Sequence, residues 1–287
     1  MVDEEAVSKK ITANFPYLSR KQKIIARFVM DNEYFVAFAS AAEVGSKVNT
    51  SAATVVRFCQ SVGFTGYSHL QTAIREKFPR FLTTIQRLEE RSVSPIAEND
   101  LLARVFSTDI DNIKHTMELI DLEVFDTAVT EICNAASILV VGGGVSAPLA
   151  LLLTHSLKVM GFPANVVTTS GVTLSLELSS LKQGDLLVGI SFWRYLRETV
   201  GAMSWAKDVG AKRIAITDSE LSPLVRLADY PFIMTTDGVA YSMSSVASIS
   251  LINAIAASLS FRRPQQTLAA LRSIDSLNKE SNLLLED

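Results

Sequence analysis

Between residues 137 and 235 the sequence repeats one alternation, a short β-branched run followed by a longer amphipathic stretch. The short runs are SILVVG (137–142), NVVTT (165–169), DLLVGI (185–190), RIAIT (213–217) and PFIMT (231–235). Helical spacing fills the stretches near 146–160, 173–181, 196–209 and 241–260. Strands apolar on both faces need cover on both faces, which a parallel sheet with helices on either side provides. The expectation is a doubly wound, five-stranded parallel α/β domain over residues 123–287.

The first 80 residues carry no such alternation and read as helix throughout. Ser19 is placed to cap a helix whose apolar positions are Ile24, Ile25, Phe28 and Val29. Two short helical patterns then follow with almost no connection, SAAEVGSKVN and SAATVVRFCQSVG. Val44, Val48, Val55 and Phe58 give them a shared core. The turn between them needs a left-handed residue, and Asn49 stands there, the best choice other than glycine. Ser51 caps the second helix.

Two short helices joined this tightly form the helix-turn-helix, whose second helix enters the major groove of double-stranded DNA. On that reading Ala52, Ala53, Val56 and Arg57 face the bases. Lys47, Thr50 and Ser51 lie on the DNA side, with Thr50 and Ser51 near phosphates. Small side chains at 52 and 53 allow close approach, and Arg57 reads guanine or holds a phosphate. Gly45 stands where such motifs more often carry alanine. A helical hairpin without a DNA role is the alternative reading of these residues alone.

Charge adds a weak pointer. Residues 1–92 hold 13 Lys and Arg against 9 Asp and Glu, a net of +4, while the remainder holds 14 against 21, a net of −7. A basic amino-terminal part on an acidic remainder fits a polyanionic partner.

The run TSAATVVRFCQSVGFTGYSHLQTAI resembles the amino-terminal domain of the RpiR family of bacterial transcriptional regulators. The matching positions are Ser51, Thr54, Val55, Arg57, Phe58, Gly63, Phe64, Gly66, Tyr67 and Leu70. The resemblance covers about residues 5–80 and implies a DNA-binding domain over 1–80. A charged stretch with Ser94–Pro95 interrupts the pattern, so residues 81–122 read as linker and connecting helices. The helix near 100–120 can also pair with a copy of itself.

The later part is similar to the sugar isomerase (SIS) domain that forms the carboxyl-terminal half of that family. The similarity spans about 123–262 on VVGGGVS, LKQGDLLVGIS and AKDVGAKRIAITDSELSPLVRLAD. It implies a sugar- or phosphosugar-sensing domain. Gly143 and Gly144, with Ser146 at a helix start, form a turn able to hold an anion on backbone N–H groups. The turn is no Walker loop, since no G-K-[ST] follows. As a dinucleotide fingerprint it is poor, with Ala147 in the third glycine's place. No cofactor or metal is expected.

In SIS domains the loop after the third strand reads S-x-S-G-x-T, a set of hydroxyls for the sugar phosphate. This chain has SFWRYL, keeping only Ser191 and placing Trp193, Arg194 and Leu196 at the other three positions. Ser191, Arg194 and Arg197 can bind an anion by charge-assisted bonds at a helix amino terminus. Trp193 or Tyr195 can stack on a sugar ring.

The resulting expectation is a ligand-responsive DNA-binding regulator of sugar or phosphosugar metabolism, with a phosphosugar isomerase carrying an added helical domain as the alternative. The histidines, His69, His115 and His155, lie away from the ligand loops, and Glu177 is the one acid near where isomerases carry a base. DNA half-sites one helical turn apart call for a homodimer or homotetramer. No apolar run reaches the roughly 20 residues of a membrane span. The acidic start MVDEE is no secretory signal, and Cys59 and Cys133 sit apart in apolar segments, so a cytoplasmic protein with reduced thiols is expected.

Overall fold

The computed structural model describes residues 6–37, 39–75, 100–239 and 242–281. The chain divides into two compact units, within residues 1–96 and 97–287.

The amino-terminal unit contains α1 (Ala6–Asn14), α2 (Arg20–Asp31), the short α3 (Glu33–Val36), α4 (Ala41–Lys47), α5 (Ala52–Ser61) and α6 (Tyr67–Arg75). Ser19 and Ser40 each close a capping box on α2 and α4, and Ser51 caps α5 through the Thr54 N–H. Each satisfies amide groups that a helix start otherwise leaves open. Val44, Val55 and Phe58 are fully buried in one core with Ile25, Val29, Leu70 and Ile74, and Val48 packs at its edge. Ile24 points outward instead, at 48% exposure. Three side chains spaced a turn apart on α6 tie down the carbonyls after α3. The Tyr67 hydroxyl donates to Val36 and Ala39 O, the Gln71 amide to Val36 and Ala39 O, and Arg75 Nε to Ala37 O.

The carboxyl-terminal unit begins with α7 (Leu101–Leu119) and α8 (Leu122–Asn134). There follow β1 (Ile138–Val141), α9 (Ala147–Val159), β2 (Ala164–Val167), α10 (Val172–Ser179), β3 (Leu186–Ile190), α11 (Arg197–Asp208), β4 (Lys212–Thr217), β5 (Tyr230–Ile233), α12 (Val246–Arg262) and α13 (Pro264–Glu280). The strands form one sheet, in the order β2-β1-β3-β4-β5, and every pair is parallel. Ile138, Val140, Leu186, Val188, Ile190 and Ile214 look toward α8, α9 and α12. Leu139, Val141, Leu187 and Ala215 look the other way, toward α10 and α11. The side-chain alternation of buried strands thus builds two cores, one on each face.

Each of the five expected strands is present, with ends shifted by one or two residues. Two helices, α8 and α13, were not resolved as elements by sequence pattern. Of the expected 81–122 connecting region, residues 81–99 lie outside the described residues, and α7 is bonded into the carboxyl-terminal unit. Among the described residues no helix is long and apolar enough to cross a membrane.

Candidate functional site

In the amino-terminal unit, α4 and α5 form the tight pair expected of a DNA reader. Asn49 takes the left-handed conformation, φ 55°. The Thr50 N–H donates to Gly45 O at 2.8 Å, and a Cβ on Gly45 would stand 2.6 Å from Thr50 O. Glycine is what lets the two helices close on each other here, so its presence strengthens the motif where the sequence alone read it as a weakness. Lys47, Ser51, Ala53 and Arg57 are exposed, while Thr50, Ala52 and Val56 are half-buried. Ala53, Val56 and Arg57 share one side of α5, with Gln60 a turn further along. Gln60 is exposed and was not singled out from sequence; the i+3 spacing from Arg57 is the signal that finds it. The guanidinium of Arg57 donates to Thr54 Oγ1 at 3.3 Å, which points it toward the start of α5. The described residues 6–75 hold nine Lys and Arg against three Asp and Glu, a net of +6. The positive charge is therefore denser here than over residues 1–92.

In the carboxyl-terminal unit the strand order reverses at β1, which has β2 on one side and β3 on the other. Ligands of doubly wound sheets bind outside the carboxyl ends of the strands at such a point. A cavity of about 330 Å³ lies there, lined by Val141, Gly143, Gly144, Val167, Thr168, Thr169, Ser170, Leu174, Leu196, Glu198 and Thr199. Gly143 and Gly144 are the sequence candidates that line it. At Gly143 a Cβ would stand 2.8 Å from Leu196 Cδ1, so the backbone of the β1 loop and the start of α11 are packed against each other. The hydroxyls of Thr168, Thr169, Ser170 and Thr199 supply polar contacts missed from sequence. The string TTSG at the end of the second strand is the signal that could have found three of them.

The other candidates stand around this cavity rather than in its wall. Ser146 is buried at 2% exposure, within a 3-10 turn over Gly144–Ser146. Ser191 is equally buried, and its Oγ accepts the Leu196 N–H at 3.2 Å, which folds the loop back on itself. Trp193 packs edge-on against Tyr195. Both are fixed by Asp218, whose carboxylate accepts the Trp193 N–H and the Tyr195 hydroxyl, each at 3.0 Å. Arg194 and Arg197 are exposed. Arg197 opens α11, whose free amide groups and dipole favour an anion at its amino terminus.

Glu177 sits elsewhere. It lines a second cavity of about 260 Å³, with Ser137, Asn165, Lys182 and Asp185, at the amino-terminal ends of the strands. It is therefore at the opposite end of the sheet from Gly143. His115 and His155 are exposed, and His69 Nδ1 meets Thr65 N and Oγ1. Among the described residues no group of three or more His, Cys, Asp or Glu is arranged to hold a metal ion.

Known proteins match both units. A family model described as a helix-turn-helix domain of the rpiR family matches residues 6–80, and a SIS domain model matches residues 131–260. The chain is 26% identical over 271 residues to the HTH-type transcriptional regulator HexR of Pseudomonas aeruginosa, covering 93% of each chain. It is also 26% identical over 225 residues to an uncharacterized HTH-type transcriptional regulator of Haemophilus influenzae, covering 78% of each. Among solved structures, the sugar isomerase domain of an RpiR transcription factor from Sphaerobacter thermophilus is 40% identical, with a TM-score of 0.61. That match covers 62% of this chain and 99% of that one. The Vibrio vulnificus NanR protein complexed with ManNAc-6P shares the fold at 21% identity and a TM-score of 0.71, over 98% of this chain and 100% of that one.

Proposed function

The chain belongs to the RpiR family of helix-turn-helix transcriptional regulators and is a DNA-binding regulator of sugar metabolism, and from that premise we propose that the cavity beside Gly143 and Gly144 receives its effector. The observation that carries the reading is the cavity itself. It opens at the strand-order reversal, beside the amino terminus of α11, and four hydroxyl side chains line it. Hydroxyls and backbone amides at a helix start suit a sugar phosphate or a related anion. Glu198 is placed to accept bonds from sugar hydroxyls. Arg194 and Arg197 are exposed cations on the same loop and first turn, able to swing onto an anionic group. NanR, which shares the fold, is complexed with ManNAc-6P, which supports an effector of this class here.

We assign DNA contact to Lys47, Thr50, Ser51, Ala52, Ala53, Val56 and Arg57, with base reading by α5 and phosphate contact by its first residues. The protein works in the cytoplasm as a homo-oligomer of at least two chains, because two-fold operators need paired readers. Its sugar-binding domain senses and does not catalyse. The related chains over most of its length are named as regulators, and Glu177 is at the wrong end of the sheet to act as a base on a ligand near Gly143.

The test is a gel shift on the protein's own upstream region, with and without candidate sugar phosphates. Sequence-specific binding is expected, weakened by about 1–3 kcal/mol in Arg57→Ala and altered by one of the ligands. A thermal-shift screen names the ligand, since binding to the native state raises its melting temperature. Specific DNA binding that no sugar phosphate alters would end the effector reading, and aldose–ketose turnover would return the isomerase.

A further inference from the structure

The cavity at the amino-terminal ends of the strands holds a carboxylate that the protein leaves half-used. Asp185 lines that cavity, just before β3, at 4% exposure. Its backbone is fixed on both sides, the N–H donating to Lys182 O at 3.1 Å and the carbonyl accepting the Lys212 N–H at 3.0 Å. Its Oδ2 accepts the Lys182 N–H at 3.0 Å, which closes the turn that leads into β3. The other carboxylate oxygen, Oδ1, is buried and meets no donor. Burying a charged oxygen without a donor is costly, and folded proteins do so rarely.

The rest of the wall is charged and polar. Glu177, half-buried, and Lys182, exposed, line the same space with Ser137 and Asn165. Among the described residues the lysine forms an ion pair with neither carboxylate. Two negative groups and one positive group therefore face one cavity without neutralising each other. Two carboxylates with a lysine between them make a poor seat for a metal ion, which needs more oxygen ligands and no competing cation. An organic ammonium fits better, because its three N–H donors can serve two carboxylates at once. Lys182 is then left for a negative group on the same molecule. At about 260 Å³ the space is below the roughly 300–1,000 Å³ of sites for drug-sized ligands, so the molecule is small.

We propose that this cavity is a second ligand site, taking a small zwitterion of the α-amino acid class. The ammonium group sits on Asp185 Oδ1 and Glu177, and the carboxylate on Lys182. The site is separate from the effector cavity and does not depend on what that cavity binds. The two are nevertheless joined by shared elements. In β1, Ile138 and Leu139 line this cavity and Val141 the other; in α10, Glu177 lines this one and Leu174 the other. A ligand at either end thus bears on the same strand and helix, which gives the regulator an amino-compound input beside its sugar input.

The experiment uses the full-length chain, with the protein amino acids as probes. At least one is expected to raise the melting temperature of the carboxyl-terminal unit, and titration calorimetry should give one saturable site per chain. The amine and the acid that each lack one of its two charged groups should bind at least about tenfold more weakly. Lys182→Ala, at an exposed position, and Asp185→Asn, which keeps an oxygen for the Lys182 N–H, should each weaken the amino acid by at least about tenfold. Helical circular dichroism should be unchanged in both. No binding by any amino acid overturns the proposal. So does binding that either variant leaves intact, or that needs only one of the ligand's two charged groups.

Discussion

The carbonyl oxygen of Thr50 lies 2.6 Å from the point where a Cβ on Gly45 would stand, and the Thr50 N–H donates to Gly45 O at 2.8 Å. The turn between the two helices of the DNA reader is therefore closed against the backbone of α4, with no room for a methyl group. Backbone atoms on both sides cannot step aside as a flexible side chain can. Gly45→Ala is expected to destabilise the amino-terminal unit by about 1–3 kcal/mol, the cost of forcing volume into a packed site. It should also weaken operator binding by tilting α5, even though residue 45 is buried and touches no DNA. Chemical denaturation of residues 1–96 followed by circular dichroism, beside a gel shift, checks both. An alanine variant as stable as the parent would mean that the helix pair opens without cost.

Asn112 and Asp237 make the most specific contact between α7 and the rest of its unit. One buried amide both gives and receives a bond on the backbone of a single residue, with Nδ2 to Asp237 O at 2.7 Å and Asp237 N to Oδ1 at 3.1 Å. Asn112→Ala removes both bonds to the backbone of the exposed Asp237, at an expected cost of about 1–3 kcal/mol for two hydrogen bonds. Asn112→Asp keeps the acceptor, loses the donor and buries a charge, so it should cost more than alanine at neutral pH. The melting temperature of the carboxyl-terminal unit in the two variants gives the order.

How much of this was legible in the sequence depends on how local each feature is. The five strands and the helices between them were readable because apolar spacing is written within each segment. Asn49 was readable because a left-handed turn has few occupants. Gly45 was misjudged, since a sequence shows that a side chain is missing but not what stands in its place. The apolar residues of α7 read as those of a helix able to pair with a copy of itself, and only the fold shows that Asn112 and Thr116 take the inward side. The sequence of the loop after β3 drew attention to Trp193 and Arg194, which are conspicuous residues. The cavity wall instead takes Thr168, Thr169 and Ser170 from the loop after β2, because the strand order β2-β1-β3 brings that loop against β1. Strand order is a property of the whole chain and is not contained in any one motif.

The two thiols should behave differently. Cys59 is fully buried in the amino-terminal core, and Cys133 is half-buried in α8. Burial pushes the Cys59 thiol from an ordinary 9.0 up to about 12, with a backbone hydrogen bond opposing in part. A raised acid of this kind holds its proton in the folded state after the unfolded chain has released it. Its contribution is fully present below about pH 9 and is lost as pH climbs from there toward 12. A thiol reagent at pH 8 is expected to label Cys133 first and Cys59 only as fast as the amino-terminal unit opens. Cys59→Ala should flatten the loss of stability above pH 9, and rapid labelling of both thiols in the folded protein would contradict the buried assignment.

Asp218 and Tyr195 decide whether the loop beside the cavity is a rigid wall or a flexible one. The Asp218 carboxylate, 9% exposed, accepts the Tyr195 hydroxyl and the Trp193 N–H. Ser191 closes the same loop from inside through the Leu196 N–H, and Leu196 is packed over Gly143. Hydrogen bonds to a charged acceptor contribute about 1.5–3 kcal/mol, so Asp218→Ala should lower the melting temperature of the carboxyl-terminal unit clearly. Tyr195→Phe removes one of the bonds and should cost about 1.5–3 kcal/mol. If the carboxylate and the phenol act through each other, the double variant will fall short of the sum by roughly 0.5 kcal/mol or more. Because Leu196 lines the cavity and leads into α11, loosening the latch should also weaken binding of whichever sugar phosphate stabilises the parent protein. Titration calorimetry on Asp218→Ala and Tyr195→Phe reads that second effect. Unchanged affinity in both would show that the latch serves the fold and leaves the wall of the cavity as it was.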